Sequence, residues 1–378
     1  MRARWDIFCR VIDNFGDIGV TWRLAQQLSQ EHPFDVRLWV DDLSAFHAIC
    51  SAVVSTAEQQ VVDGVDVCLW PDESSITQYD CADVVIEAFA CQLPESYIAL
   101  MRSKQQVLWL NLEYLTAEPW AAECHALPSL QSGGLQKYFF FPGFTGQTGG
   151  LLREADLLSR RDAFLNSNTL RADYLASLAV QAQQGERLIS LFAYANPALP
   201  SWLDALSQDS RSNRLLVLQG PLQSSVASWF AIKELKIGEI YQRGSLTVQA
   251  LPYIEQKNFD QLLWCCDLNC VRGEDSFVRA QWAAKTLLWH IYPQQESAHL
   301  DKLEAFLSIY NNDLGEQAKH ALNSLHRAWN QQDDMHAPWQ QFVAQEHALQ
   351  KHAKHWSAQQ KKQPDLATKL ACFYQDWL

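Results

Sequence analysis

No stretch of this sequence approaches the ~18 consecutive apolar residues that a membrane-spanning helix needs. The first apolar run carries Asp6 and Arg10, which excludes a secretory h-region there. Positive charge is scarce: 30 Lys and Arg stand against 43 Asp and Glu, a formal net charge of −13. Binding to a phosphate backbone normally shows as a basic patch on a basic domain, so no direct nucleic-acid partner is expected. A cationic partner suits this balance better. Only 19% of residues are charged while 48% are apolar, which excludes a disordered chain. The G-x-x-x-x-G-K-[ST] loop is missing, so P-loop kinases and GTPases are out. No G-x-S-x-G elbow points to a serine hydrolase of the α/β type. No repeat of about 20–50 residues points to a solenoid.

Among the ten cysteines no paired C-x-x-C arrangement occurs. Cys265, Cys266 and Cys270 lie in an apolar run and read as buried thiols rather than zinc ligands. His352 and His355 are one helical turn apart without a completing ligand set, and read as a solvated helix face. With no export signal, the chain is expected to be soluble and cytoplasmic, with reduced thiols and no membrane partner. Fifteen tryptophans specify large buried aromatic area and little else.

At ~150 residues per domain, 378 residues predict two sizeable domains. Strand patterns fall at 5–12, 36–40, 65–70, 84–89, 107–112 and 138–141, alternating with helical or turn segments. A Gly/Pro/Thr-rich stretch, 142–150, breaks the pattern. Helical segments follow at 151–167 and 170–183, and strands resume at 188–192, 215–218, 247–251, 268–271 and 287–291. From 297 onward the periodicity is helical, with breaks near 311–313, 333–338 and 364. This alternation predicts an α/β chain of two Rossmann-like domains with parallel, doubly wound sheets, facing each other across a cleft. The expected boundaries are 1–150 for the first domain, 151–184 for a helical linker and 185–349 for the second. The helical end, about 350–378, is expected to pack back on the first domain. Ligands of open parallel sheets bind outside the carboxyl ends of the strands, which directs attention to the loops there.

The loop Asp13-Asn14-Phe15-Gly16-Asp17-Ile18-Gly19 follows the first strand. Two carboxylates four residues apart could project into a cleft, one as a general base, with Gly16 admitting a ligand close to the backbone. Equally, Asp17 could cap the helix and Asp13 open the turn. In the loop Arg272-Gly273-Glu274-Asp275-Ser276, a helix start preceded by glycine offers free N–H groups to an anion. Arg272 adds a bidentate donor, and Glu274 could accept from a sugar hydroxyl. Here the plainer reading is a capped helix with Arg272 paired to a neighbour. Between 251 and 259, Tyr253 and Phe259 around Gln256 could sandwich a flat base, although aromatics at that spacing read by default as core. Asp41-Asp42 is the nearest imitation of a metal-binding acidic pair and reads as a turn and helix start.

Three long motifs carry a resemblance: WDIFCRVIDNFGDIGVTWRLA from Trp5, DLNCVRGEDSFVRAQW from Asp267 and WHIYPQ from Trp289. The chain resembles the bacterial elongation factor P arginine rhamnosyltransferases over its whole length. The resemblance implies a GT-B glycosyltransferase fold and metal-independent, inverting transfer of rhamnose from dTDP-β-L-rhamnose to an arginine of elongation factor P. That modification serves rescue of ribosomes stalled on polyproline. It implies Asp17 as general base, with Asp13 and Glu274 beside it among the catalytic residues. Phe15, Gly16, Tyr194, Tyr253, Gln256, Phe259, Arg272, Glu274, Asp275 and Ser276 are implied to bind the donor, Tyr194 at the diphosphate and Tyr253, Gln256 and Phe259 at the base. Tyr253 stands where the family more usually has phenylalanine, which preserves stacking. Cys270 stands where an aromatic is expected. No cofactor or metal is implied. The alternatives are a GT-B enzyme with a different acceptor and a non-catalytic sugar-nucleotide-binding scaffold.

Overall fold

The computed structural model describes residues 2–13, 15–70, 76–294 and 297–378; Asn14 of the first loop lies outside them. The chain divides into two compact units, Met1–Ala155 with Lys362–Leu378, and Asp156–Lys361.

The first unit holds β1 (Ala3–Cys9), β2 (Phe34–Val40), β3 (Gln59–Val62), β4 (Val65–Leu69), β5 (Val84–Ala88), β6 (Leu108–Leu112), β7 (Pro128–Leu130) and β8 (Gln136–Phe140). Helices α1 (Gly16–Glu31), α2 (Leu43–Ile49), α3 (Glu95–Ser103) and α4 (Pro119–Cys124) lie between them. The sheet order is β3-β4-β2-β1-β5-β6-β8-β7. β1 pairs in parallel with β2 and β5, and only β3 and β7 run antiparallel, one at each edge. Both faces of β1 are covered. Trp5, Ile7 and Cys9 enter one buried cluster, with α1 and α2, and Phe8 enters another with Tyr97 and Met101 of α3. This two-sided burial explains a nearly continuous apolar run where a half-exposed strand would alternate. Asp6 is fully buried within it, and Arg37 Nη2 (2.6 Å), Trp39 Nε1 (3.1 Å) and Tyr97 Oη (2.6 Å) all donate to its carboxylate. Removing one partner of such a buried pair typically costs ~3–5 kcal/mol.

The second unit contains α5 (Leu157–Leu165), α6 (Asn168–Ser177), β9 (Arg187–Leu191), α7 (Leu199–Ser207), β10 (Asn213–Val217), α8 (Leu222–Trp229), β11 (Ile240–Arg243) and β12 (Leu246–Ala250). It continues through α9 (Gln256–Cys265), β13 (Leu268–Arg272), α10 (Asp275–Trp282), β14 (Thr286–His290), α11 (Ala298–Tyr310), α12 (Glu316–Gln331), α13 (His336–Ala344) and α14 (Glu346–Gln360). Its sheet runs β11-β12-β10-β9-β13-β14, parallel except for the edge strand β11. The tryptophans are spent on packing: Trp202 of α7 meets Trp329 at 5.4 Å and Trp339 at 5.8 Å, both edge-on.

Three boundaries differ from the sequence pattern. Segment 151–184 is no linker, because Phe164 of α5 packs on Trp264 of α9 and Arg171 of α6 donates to the Cys265 carbonyl. Those contacts bind α5 and α6 to the second unit. Helix α14 also stays there: Trp356 Nε1 donates to Gln281 Oε1 at 2.8 Å, and the buried His352 meets the Tyr310 carbonyl at 2.7 Å. His352 therefore faces inward, while His355 is exposed. Only α15 (Leu366–Trp377) belongs to the first unit, with Leu366, Ala367, Leu370 and Ala371 in its core and Asp365 accepting from Gln27. Among the described residues, no helix is long and apolar enough to cross a membrane.

Candidate active site

Among the parallel strands of each sheet the order reverses direction once, between β1 and β5 in the first unit and between β9 and β13 in the second. The carboxyl ends of strands at such a point splay their loops apart and leave a ligand crevice. The loop holding Asp13 and Asp17 leaves β1, and that holding Arg272 to Ser276 leaves β13. Tyr194 follows β9.

Asp17 lies in the first turn of α1 and is 2% exposed. It is not the helix cap. Phe15 occupies that position without a side-chain hydrogen bond, and packs its ring against the core. The Asp17 carboxylate turns back on the loop instead: Oδ2 accepts from the backbone N–H of Ile12 and of Asp13, each at 2.9 Å. Oδ1 accepts from the Tyr114 hydroxyl at 3.1 Å. A carboxylate with its oxygens fixed by three donors is pre-aimed. The absence of a side chain at Gly16 also serves the loop itself. A Cβ there would stand 2.7 Å from Asp13 Oδ2, so the group that approaches this glycine is the Asp13 carboxylate. Asp41 and Asp42 are occupied structurally: Asp41 accepts from Val11 N–H at 2.9 Å, and Asp42 caps α2 by accepting from Ser44 and Ala45 N–H.

In the second unit, the Arg272 guanidinium lies over the ring of Phe192 at 4.4 Å and of Tyr194 at 5.0 Å. Cation–π contact of this kind fixes the plane of the guanidinium. Gly273 takes the left-handed turn into α10 with φ 58°, and Trp289 Nε1 donates to its carbonyl at 2.8 Å. Glu274 is at the helix cap position, Asp275 is the first helical residue and Ser276 the second. The Ser276 hydroxyl points inward, accepting from Arg272 N–H at 3.0 Å and donating to the Arg272 carbonyl at 2.6 Å. It ties the turn, and this hydroxyl is spent within the loop. Gln256, first in α9, donates to Asp275 Oδ2 at 3.2 Å. Tyr253 is exposed, whereas Phe259 is buried edge-on against Phe192 at 5.7 Å.

Tyr114 and Phe192 carry no signal in the sequence; His290 and Tyr292 fall within the WHIYPQ motif, but only the strand order brings them beside Tyr194. Tyr194 meets His290 at 5.3 Å and Tyr292 at 5.5 Å, both edge-on. Burial, with the charge of Arg272 adding to it, pushes the His290 imidazole down to about 3, so it is neutral at ordinary pH. Cys265, Cys266 and Cys270 are buried free thiols, and burial raises all three, Cys265 to about 12. Among the described residues, no group of three or more His, Cys, Asp or Glu is placed to hold a metal ion.

The chain is 54% identical to the protein-arginine rhamnosyltransferase of Pseudomonas putida, across all of both chains. A solved structure of EarP-mediated arginine glycosylation of translation elongation factor EF-P is 41% identical, with a TM-score of 0.73 and full coverage of both chains. MurG of Acinetobacter baumannii shares the GT-B glycosyltransferase fold at 14% identity and TM-score 0.52, again over both whole chains. The model of the elongation factor P (EF-P) rhamnosyltransferase family EarP matches residues 5–375. On a match of that length, to strand-end loops as well as to the core, the chain belongs to the EarP family of elongation factor P rhamnosyltransferases.

Proposed function

We propose that this enzyme transfers rhamnose from dTDP-β-L-rhamnose to one arginine side chain of elongation factor P, inverting the anomeric centre without a metal, in the cytoplasm. The observation that carries the reading is the buried, three-donor Asp17 carboxylate beside Asp13 at the carboxyl end of β1. Its setting suits a cation: the first unit holds 22 of the 43 acidic side chains but only 11 of the 30 basic ones.

A guanidinium loses a proton only at a pKa above ~12, so free deprotonation near neutrality is expensive. Asp13 and Asp17 would instead hold the cationic side chain by hydrogen bonds. As the arginine nitrogen attacks the anomeric carbon, the bond from that carbon to the diphosphate oxygen breaks and dTDP leaves. The proton shed by the nitrogen passes to Asp17. Arg272 and the N-terminal N–H groups of α10 would meet the charge growing on the leaving diphosphate. Tyr253 and Gln256 would flank the base, Phe259 offering at most an edge. Glu274 would accept from the sugar. Intact-mass measurement of elongation factor P after incubation with the enzyme and dTDP-rhamnose tests the reading. A gain of one deoxyhexose, mapped to arginine, is expected; an unmodified factor would overturn it.

A further inference from the structure

The turn after β5 is strained. Phe89, Ala90 and Gln92 have φ of 56°, 53° and 58°, the left-handed region that non-glycine residues enter only when their surroundings impose it. Buried side chains do so here. Ala90 N–H donates to Asn111 Oδ1 at 3.1 Å, and Gln92 N–H donates to Glu87 Oε1 at 3.0 Å. Lys137 holds the other Glu87 oxygen at 3.1 Å, and both Asn111 and Glu87 are buried. The result is an exact placement of one ring: Phe89 stacks on Tyr114 with centroids 4.3 Å apart and planes 13° from parallel. Phe89 is 8% exposed and Tyr114 37%. The Tyr114 hydroxyl in turn donates to Asp17 Oδ1, the oxygen not engaged by backbone N–H groups.

Resting on the acceptor chemistry proposed above, we propose that Tyr114 is a positioning residue of the acceptor side. Its hydroxyl aims Asp17 Oδ1 at the attacking nitrogen, and its ring, backed by Phe89, carries the guanidinium of the acceptor arginine. Guanidinium planes stack on aromatic faces, and a tyrosine fixed from behind loses little freedom on receiving one.

Steady-state kinetics with elongation factor P varied at saturating dTDP-rhamnose separates the two parts. Tyr114→Phe keeps the ring, so kcat should fall about tenfold or more while KM for the factor stays within about twofold. Tyr114→Leu loses both, so KM should also rise about fivefold or more. Calorimetric affinity for dTDP should match wild type in both variants, and each should still unfold in one cooperative transition, Tyr114→Leu a few degrees lower for its lost stacking and hydrogen bond, which sets aside misfolding. Wild-type kcat in Tyr114→Phe would overturn the hydroxyl's role, and wild-type KM in Tyr114→Leu the ring's. If the wild type itself fails to modify the factor, the proposed reaction falls and Tyr114 falls with it. If the wild type modifies it and both variants match, only Tyr114 falls.

Discussion

Asp17→Asn separates the chemistry of Asp17 from its structural work. The asparagine oxygen can take the place of Oδ2 and accept from Ile12 and Asp13 N–H, while its amide faces the Tyr114 hydroxyl, which can accept. The loop should then hold, and stability should change by no more than ~1 kcal/mol, one neutral hydrogen bond. Alanine would be a poorer probe, since it leaves two backbone donors beside a buried site at ~1–3 kcal/mol each. What asparagine cannot do is take a proton from the attacking nitrogen. General-base assistance contributes ~10²–10⁴-fold, about 3–5 kcal/mol of barrier, so kcat should drop by that factor. Asp17 lies in the first unit, while the residues proposed to hold the base and diphosphate, Tyr253, Gln256, Arg272 and the start of α10, lie in the second, so dTDP affinity by calorimetry should not move. Intact-mass time courses of elongation factor P supply the rate. Transfer at close to the wild-type rate would refute the reasoning and leave Asp17 as a brace for residues 12–13.

Arg272→Ala should weaken dTDP binding by ~1.5–3 kcal/mol, roughly ten- to a hundredfold; equal calorimetric affinity would remove Arg272 from the phosphate site. Ser276→Ala should act less, through loosening of the turn into α10. Transfer should proceed at full rate in excess EDTA, with Arg272 and the α10 N-terminus standing in for a cation; inhibition reversed by Mg²⁺ or Mn²⁺ would contradict this. Burial holds His290 at about 3 and His326 at about 4, below the ordinary 6.5. The unfolded chain therefore takes up these protons first, and stability present above 6.5 is lost as pH falls below it. At pH 5 the loss is ~2 kcal/mol for each histidine, so Tm should fall between pH 7.5 and 5, and less steeply in His326→Leu. A level Tm across that range would contradict the buried, neutral assignment.

The amino-acid order alone determines the central parallel strands, since a strand covered on both faces must be apolar at nearly every position, as β1 is at Ile7, Phe8 and Cys9. It also marks where loops with acids, glycine and arginine leave β1 and β13. The edge strands β3, β7 and β11 are silent in sequence because they are short and lie half in solvent, as in the exposed Val61, Leu130 and Ile240. Helical periodicity announces α14 and α15 alike, but not which unit each covers; that choice belongs to Trp356 finding Gln281 and to Leu370 finding the core around β1. The site divides in the same way. Chain order brings Asp13 next to Asp17, whereas Tyr114 reaches Asp17 across 97 residues. Asp17 as loop brace and Ser276 as turn tie rest on bonds spanning only four or five residues, which take shape when their loops fold, whereas Tyr114 as partner depends on an atom distant in sequence. Local pattern fixes which residues can face a crevice; only the packed strand order decides which of them meet.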